Sequence, residues 1–305
     1  MHSVEHTHTH AGRCHAATGR VRGRALIEHH FTVDVEEYFQ VSALEPFVAR
    51  ESWEARDARL CIGMDRLLGL LDDAGARATF FVLGWVAERY PGLARRLADA
   101  GHEVASHGYG HRRVSTLDRG EFRESVRRAK AILEDQAGRP VLGYRAPTFS
   151  ILPGGEWALD VLLEEGYRYD SSLFPVPRPG YGYSARAPRD PHWIERDAGK
   201  LLEVPPTTLR RFGTNLPAAG GAYLRLFPYA LTRLAITEAA EREAPATLYV
   251  HPWELDTEQP RLDVPWSVRL RHYGGLQRVA DRLGRVLREF RFRPVAATLA
   301  ELTAA

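Results

Sequence analysis

Cysteines and long apolar runs are scarce in this sequence. Only two cysteines, Cys14 and Cys61, occur among 305 residues, which argues against a disulfide framework and suits a reducing compartment. No stretch approaches the roughly 18 apolar residues of a membrane-spanning helix, and the N-terminal residues lack the apolar core of a secretory signal. We therefore expect a cytoplasmic protein without a transmembrane segment, with the inner face of the membrane as a second location.

Net charge is also nearly absent. The chain carries 41 Lys and Arg against 39 Asp and Glu, a formal charge of +2 at pH 7. Nucleic-acid binding requires a concentrated basic face, so we expect no nucleic acid as a partner. The hydrophobic fraction of 44% is that of an ordinary globular protein. Residues 1–28 differ, because their polar, His-rich composition predicts a flexible tail without a catalytic role.

Short apolar runs alternate with helical patterns along the rest of the chain. The runs typical of strands are 31–35, 78–84, 102–107, 141–146, 167–172, 201–206, 246–252 and 292–298. Between most of them, apolar residues recur at helical spacing, as in 62–71 and 122–133. Such alternation implies parallel strands joined by crossover helices, and seven or eight units favour a closed α/β barrel over an open sheet.

Two segments interrupt this alternation. Residues 174–193 and 256–275 are rich in proline, glycine and aromatic residues, which predicts long ordered loops over one rim of the barrel. Tyr181 and Tyr223 are among the aromatic residues that could form a sugar platform there, although large aromatic residues more often fill cores.

Acidic residues interrupt the first predicted strand. The stretch FTVDVEEYFQ, residues 31–40, places Asp34, Glu36 and Glu37 in an extended apolar segment. An unpaired buried carboxylate is very costly, so these acids require partners. Asp34 and Glu36 are two residues apart and therefore point to the same face, whereas Glu37 points to the other.

A pair of histidines follows the third predicted strand. SHGYGH places His107 and His111 four residues apart, at a strand end where parallel barrels collect their functional groups. Two neutral imidazoles and one carboxylate make a metal site with open positions for water and substrate. The histidine pair alone is a weak signal, and the acids on a neighbouring strand strengthen it.

Four motifs together carry a family resemblance. TVDVEEYF, SHGYGH, YRAPTFS and LYVHPWELD, in this order, resemble the successive motifs of the NodB-type polysaccharide deacetylases, carbohydrate esterase family four. The spellings DVEEYFQV and HPWE, and RHYGG near the C-terminus, are most similar to the exosortase (PEP-CTERM)-associated polysaccharide deacetylases found beside exopolysaccharide loci.

The resemblance implies a fold and a cofactor. It implies a distorted (β/α) TIM-like barrel of seven or eight parallel strands over residues 29–255, which residues 256–305 complete as a C-terminal extension. It also implies one divalent metal, most often Zn²⁺, with Co²⁺, Ni²⁺ and Fe²⁺ as alternatives.

The same resemblance implies a role for each matching residue. Asp34 would be the catalytic base, oriented by Arg145, and His251 the general acid, supported by Asp170. Histidine suits that role because it can donate a proton to a leaving amine near pH 7. The metal ligands would be Glu36, His107 and His111, and the predicted substrate contacts are Pro147, Phe149, Trp253 and Tyr109.

Three positions depart from the family's usual motifs. A residue separates the two acids of the first motif, so Asp34 and Glu36 could exchange the roles of base and metal ligand. Gly108 stands where a serine or threonine usually follows the first histidine, and the usual tryptophan of the fourth motif is absent, with Phe174 nearby.

The resemblance predicts a metal-dependent hydrolase that removes N-acetyl groups from N-acetylhexosamine units, in a polysaccharide or a lipid-linked glycan of exopolysaccharide biosynthesis. One alternative on the same barrel hydrolyses another non-peptide C–N bond, such as that of a ureide. The other is a catalytically silent sugar-binding barrel. The acids and histidines speak against the silent barrel, since a binding module needs neither a base nor an acid.

Overall fold

The computed structural model describes residues 27–178, 180–184 and 186–304. The predicted tail, residues 1–28, lies almost wholly outside the described residues, as does Cys14. Among the described residues, no helix combines the length and apolar character needed to cross a membrane.

Eleven strands and ten α-helices make up the described part of the chain. The strands are β1 Glu28–Val35, β2 Thr79–Val82, β3 Glu103–Ser106, β4 Gly143–Tyr144, β5 Tyr169–Asp170, β6 His192–Arg196, β7 Gly199–Glu203, β8 Thr208–Arg211, β9 Thr214–Pro217, β10 Thr247–Val250 and β11 Arg291–Arg293. The helices are α1 Leu60–Asp73, α2 Gly84–Arg89, α3 Leu93–Asp99, α4 Arg119–Ala137, α5 Trp157–Glu164, α6 Gly221–Leu226, α7 Tyr229–Glu241, α8 Trp266–Tyr273, α9 Val279–Glu289 and α10 Val295–Ala304.

The main sheet has the order β10-β1-β2-β3-β4-β5-β7-β6, and β11 also pairs with β1. Every pairing in it is parallel except that of β6 with β7. Each of the eight predicted runs contains or overlaps one of the parallel strands, so the predicted α/β class is confirmed. Between β7 and β10, the described residues form isolated contacts instead of a ladder: Thr207 N–H donates to Thr247 C=O at 3.0 Å, and Gly220 bridges to Tyr249.

The structure corrects three predicted segments. The predicted strand 292–298 ends at Arg293, because Pro294 cannot donate to a ladder and α10 begins one residue later. The predicted loop 256–275 contains α8. Apolar residues also recur at helical spacing over 86–97, which predicts one helix there, but the structure divides this stretch into α2 and α3, because Gly92 has φ of 88°, which no helix accommodates. The hairpins β6–β7 and β8–β9 were not predicted.

Alternation along β1 explains how acids occur in a buried strand. Phe31, Val33 and Val35 are fully buried in the core formed with the outer helices. The residues between them face the other side, where the lower barrel interior is filled by a separate apolar cluster, which comprises Phe81, Ala105, Tyr169, Leu202, Val204, Val295 and Leu299. Asp34 therefore lies above an apolar floor, close to the rim at which β1 ends.

Candidate active site

The three predicted metal ligands converge at the C-terminal ends of neighbouring strands. Glu36 follows β1 directly, His107 follows β3, and His111 lies in the loop beyond. Their ligand atoms lie within 4.8 Å of one another, and all three side chains are buried. Oε2 of Glu36 is 2.7 Å from Nε2 of His111. The structure thus brings together the residues that the sequence placed in one metal site, and their role as ligands stays a prediction.

The donor set fits a divalent cation. The Nδ1–H of His107 donates to the carbonyl of Arg145 at 2.8 Å, which leaves Nε2 as the free ligand atom. Burial lowers the pKa of His107 to about 4, so the ring is in the neutral, metal-binding form at pH 7. Burial raises the pKa of Glu36, but the charges of His111, His251 and His107 outweigh this effect and bring it to about 2. Among the described residues, the buried Oε2 of Glu36 receives no hydrogen bond of normal geometry, although Nε2 of His111 lies 2.7 Å away.

The loop between the two histidines is held in an uncommon conformation. Gly108 has φ of 74° and His111 has φ of 53°, a region that costs a non-glycine residue roughly 1–3 kcal/mol. Ser106 Oγ accepts from Gly108 N–H at 3.2 Å, and Ser125 Oγ accepts from Tyr109 N–H at 3.1 Å. These two hydroxyls stabilise the loop where the family motif usually has its own serine or threonine, and Gly108 allows the left-handed turn.

Asp34 is fixed by a fully buried arginine. Nη1 of Arg145 lies 2.7 Å from Asp34 Oδ1 and also donates to Thr32 Oγ1 at 2.7 Å. Nη2 donates to Ser171 Oγ at 2.9 Å, and the guanidinium lies over the ring of Phe81, 4.1 Å from its centroid. With Oδ1 held in this way, Oδ2 is the oxygen that remains for a substrate or a water in the cavity. This is the pairing that the sequence predicted for Arg145.

His251 faces the acids from the opposite side. Its Nε2 is 4.0 Å from Asp34 Oδ2 and 3.5 Å from Glu36 Oε1. On its other edge, Nδ1 lies 3.2 Å from Glu254 Oε2, and Glu254 Oε1 is paired with Arg225 Nε at 2.7 Å. Burial lowers the pKa of His251, but the hydrogen bond to Glu254 and the charges of Glu36, Glu254 and Asp34 raise it to about 9. The imidazole is therefore protonated at pH 7, the form that a general acid requires.

The predicted support of His251 by Asp170 is wrong in this structure. Asp170 is fully buried and accepts from the hydroxyl of Ser172 at 2.6 Å and from its N–H at 3.1 Å. Among the described residues, the carboxylate that contacts Nδ1 of His251 is Glu254, three positions along the chain. The signal was present in HPWE, because a histidine and a glutamate at this spacing form a capping box around the rigid Pro252.

Trp253 does not offer a face to a sugar. Its ring is stacked between His251, 5.3 Å away, and His272, 4.4 Å away, and only 6% of the residue is exposed. Both ring faces are covered, so Trp253 cannot stack on a sugar, but it lines the cavity and its contact with substrate stays a prediction. Its Nε1–H instead donates to Glu36 Oε1 at 3.4 Å, so Trp253 orients a predicted metal ligand.

The other predicted substrate contacts differ in their positions. Phe149 lines the cavity above the metal ligands, whereas Pro147 is buried at the start of the same turn and is not a lining residue. Tyr109 points away from the cavity: its hydroxyl donates to Glu88 Oε2 at 2.7 Å, and its ring lies 3.7 Å from the Arg128 guanidinium. The prediction for Tyr109 is wrong because this ring packs on the outer helices.

The cavity that contains these groups has a volume of about 470 Å³, within the usual range for ligand sites. Its wall includes the predicted ligands, Asp34 and His251, together with four aromatic side chains, of which Tyr181 and Tyr223 are the predicted candidates for a sugar platform. These aromatic side chains are Tyr181, Tyr223, Phe227 and Tyr249. The arrangement places an imidazole, a carboxylate and the candidate cation ligands around one pocket large enough for a sugar.

A second pair of carboxyl groups lies below the site and gives a testable prediction. Burial raises the pKa of Glu203 well above its usual range, and the adjacent Asp170 raises it further. Glu203 therefore keeps its proton to a higher pH than an exposed glutamic acid does. The pKa of this carboxyl group is higher in the folded protein than in the unfolded chain, where it is 4.5. The group therefore stabilises the fold fully at a pH below 4.5, and this contribution is lost as the pH rises towards the pKa of the folded state.

We expect Glu203→Gln, which mimics the protonated acid, to change the pH dependence of Tm. Near pH 5 the variant should differ little from the native protein. Between pH 6 and 9 it should gain relative stability, since only the native protein must keep a buried acid protonated. Melting curves over this range would measure the difference, and a Tm difference that is independent of pH would contradict the assignment.

Comparisons with known proteins agree with this geometry. The structure has an α/β fold with a mostly parallel sheet, and the candidate site lies at the C-terminal ends of its strands. Residues 63–165 match the family model described as polysaccharide deacetylase, and residues 171–300 match one described as a domain of unknown function, DUF3473. The chain is 31% identical over 114 residues to the peptidoglycan deacetylase-like protein FGM2 of Gibberella zeae, a match that covers 37% of this chain and 33% of that protein.

Two solved structures share the fold over most of the chain. A Mycobacterium smegmatis protein described as a polysaccharide deacetylase has a TM-score of 0.59 and 23% identity, covering 91% of this chain and 92% of that one. Puue allantoinase has a TM-score of 0.58 and 20% identity, covering 90% of each chain. The chain spans about a third of the length of the curated relatives that it matches. Residues 63–165 thus resemble polysaccharide deacetylases, and the two solved structures share the fold.

Proposed function

We propose that the protein hydrolyses the N-acetyl group of N-acetylhexosamine units in a polysaccharide, with the help of a divalent metal. The observation that carries this proposal is the position of Asp34 and His251, whose Oδ2 and Nε2 atoms lie 4.0 Å apart beside the ligand cluster. Each is held by its own buried ion-paired partner, Arg145 for Asp34 and Glu254 for His251. A site that only binds sugar has no use for a base and an acid held in this way.

The residues of the chain divide the work of amide hydrolysis. Asp34 accepts the proton of the attacking water at Oδ2, because Oδ1 is occupied by Arg145. His251 donates the proton of Nε2 to the leaving nitrogen, which is a poor leaving group until it is protonated. A cation held by Glu36, His107 and His111, most often zinc in sites of this kind, would supply the Lewis acidity that the reaction needs at neutral pH.

The proposal also covers the subfamily, the biosynthetic role and the cellular location of the protein. The spelling of the first and last motifs supports a place among the exosortase-associated deacetylases and a role in exopolysaccharide biosynthesis. The substrate is then an exopolysaccharide or its lipid-linked precursor, and we propose that the protein meets it in the cytoplasm, at the inner face of the membrane.

Acetate release from N-acetylglucosamine oligomers tests the function. Metal-loaded protein should release acetate and leave a free amine on the sugar. A cyclic ureide such as allantoin serves as the rival substrate, since Puue allantoinase has the same fold. Hydrolysis of the ureide without acetate release would favour the rival enzyme, and glycan binding without any hydrolysis would favour the silent barrel.

We expect metal to stabilise the folded protein. A ligand present at a hundred times its Kd raises the free energy of unfolding by about 2.7 kcal/mol, so Zn²⁺ should raise Tm and a chelator should reverse the change. His111→Ala should abolish this shift because it removes one of three clustered ligands. His192→Ala, on a half-buried histidine outside the cluster, is the control. An equal Zn²⁺ shift in both variants would show that the metal binds elsewhere.

A further inference from the structure

Two arginines on the wall of the catalytic cavity form no ion pair with an acidic residue that the structure describes. Arg178 lies in the loop after β5 and Arg271 on α8; both are exposed, and both line the cavity. Within the described part of the chain, no carboxylate forms an ion pair with either guanidinium. The third arginine of the wall, Arg225, differs because Glu254 neutralises it. The cavity therefore offers two uncompensated positive charges to whatever enters it.

The two charges act at one place. Burial and the neighbouring Tyr181 raise the pKa of the Tyr223 hydroxyl, whereas the charges of Arg178 and Arg271 lower it, and these residues all line the catalytic cavity. That hydroxyl is 3.2 Å from the hydroxyl of Tyr181. Guanidiniums combined with hydroxyl donors are the groups that bind phosphate, through charge-assisted hydrogen bonds.

An apolar cavity begins where this charged wall ends. It has a volume of about 240 Å³ and shares Arg178, Tyr223 and Phe227 with the catalytic cavity. Its other lining residues come from the β8–β9 hairpin, its continuation and α7; they are Leu209, Leu216, Pro217, Ala218, Leu231 and Thr232. The shared ring of Phe227 is stacked on Tyr223 at 5.9 Å, so one aromatic wall runs from the charged region into the apolar one.

The surroundings of this cavity are unusually apolar for a surface. Phe227 is 47% exposed, and Leu216 and Leu231 are 40% and 38% exposed. The hairpin that forms one wall also presents the completely exposed Phe212 at its tip, next to Arg211. A contiguous exposed apolar patch on a globular protein usually marks a binding surface. Its continuity with the catalytic cavity indicates a ligand that occupies both.

We propose that the protein accepts its N-acetylated sugar as a lipid phosphate, with the sugar in the catalytic cavity, the phosphate between Arg178 and Arg271, and the first part of the hydrocarbon chain in the apolar cavity. The inference rests on the proposed function and names the substrate class for the same site. An apolar chain suits the second cavity because nearly all of its lining is aliphatic or aromatic, and the arginines stand at the junction where a phosphate would link sugar and chain.

Three soluble compounds test the proposal: an N-acetylglucosamine oligomer, the same oligomer with a reducing-end phosphate, and its octyl phosphodiester. We expect kcat/KM for acetate release to rise by about tenfold with the phosphate, as one charge-assisted contact of about 1.5 kcal/mol requires. The octyl chain should raise it again. Binding of the three compounds, measured by calorimetry, should follow the same order.

Matched variants locate each gain. The double variant Arg178→Gln, Arg271→Gln should lose about tenfold more activity on the phosphate compound than on the neutral oligomer. The control is Arg269→Gln, on α8 like Arg271 but outside the cavity, which should lose no more activity on one compound than on the other. Leu231→Gln should remove the gain from the octyl chain, and Leu234→Gln, equally exposed on the same helix but outside the apolar cavity, should keep it.

The outcomes separate this inference from the proposed function. Equal rates on all three compounds would overturn the inference and leave the deacetylase intact. If the phosphate raised kcat/KM and the octyl chain did not, the arginines would form a site for free anions, and the proposed lipid chain would be wrong. If no compound released acetate, the proposed function would be wrong. The order of the three affinities measured by calorimetry would then show by itself whether the protein binds a lipid phosphate.

Discussion

Asp34→Asn is expected to lower kcat for acetate release by about 10²–10⁴-fold, the usual contribution of a general base, and to leave the bound metal in place. Asparagine has nearly the shape of aspartate but cannot take a proton from water. Arg145 already holds Oδ1 of Asp34 at 2.7 Å, and Asp34 is not part of the clustered ligand set. The substitution should therefore remove the chemistry without removing the cation.

Glu36→Gln is the matched control, because the two acids are two residues apart and point into the same cavity. It should lose metal as well as activity, since Glu36 supplies the one carboxylate of the ligand cluster. Metal content by mass spectrometry and acetate release, measured on the same samples, would distinguish the variants. If Asp34→Asn lost the metal and Glu36→Gln retained it, the two acids would have exchanged roles.

Glu254→Gln is expected to lower kcat and to move the basic limb of the pH–rate profile to lower pH. Glu254 is the group whose hydrogen bond does most to raise the pKa of His251. An acid must be protonated to act, so activity falls as the pH exceeds its pKa. Without the carboxylate, His251 loses its proton at a lower pH and its ring loses the contact that orients it. We expect a loss in kcat of about 10²-fold, the lower end for a general acid.

Two further variants show whether this effect is one of positioning. Breaking the buried pair leaves Arg225 unpaired, which costs about 3–5 kcal/mol of stability, so folding must be checked by melting. The double variant Glu254→Gln, Arg225→Met removes both charges; it should recover stability but keep the displaced pH limb. Asp170→Asn should leave the limb in place, because Asp170 contacts Ser172 instead of His251. If Asp170→Asn moved the basic limb and Glu254→Gln left it in place, the assignment of Glu254 as the partner of His251 would be wrong.

Much of the fold could be predicted from apolar periodicity. The eight predicted runs each contain or overlap a parallel strand, because buried parallel strands have continuous apolar sequences. The β6–β7 hairpin escaped prediction because HWIER, an edge strand, mixes polar and apolar residues. Helix α10 was taken for a strand because VAATLA suits either structure, and only Pro294 and the packing of Val295 and Leu299 in the barrel decide between them.

The site was predicted best where a strand end determines the position. Glu36, His107 and His251 lie at the ends of β1, β3 and β10, and parallel strands bring such ends to one rim. The direction of a side chain in a loop depends on its neighbours, which the sequence does not reveal. Tyr109 therefore points to Glu88, and Trp253 lies between two imidazoles.

The central claim is that one metal-dependent site removes acetyl groups from an amino sugar. Its most direct test is to count acetate and new free amines in one reaction on N-acetylglucosamine oligomers, with metal-loaded and with chelated protein. We expect equal amounts of acetate and free amine with metal-loaded protein and neither product with chelated protein. Full metal loading at Glu36, His107 and His111 with neither product formed from any N-acetylated glycan, free or phosphate-linked, would contradict it.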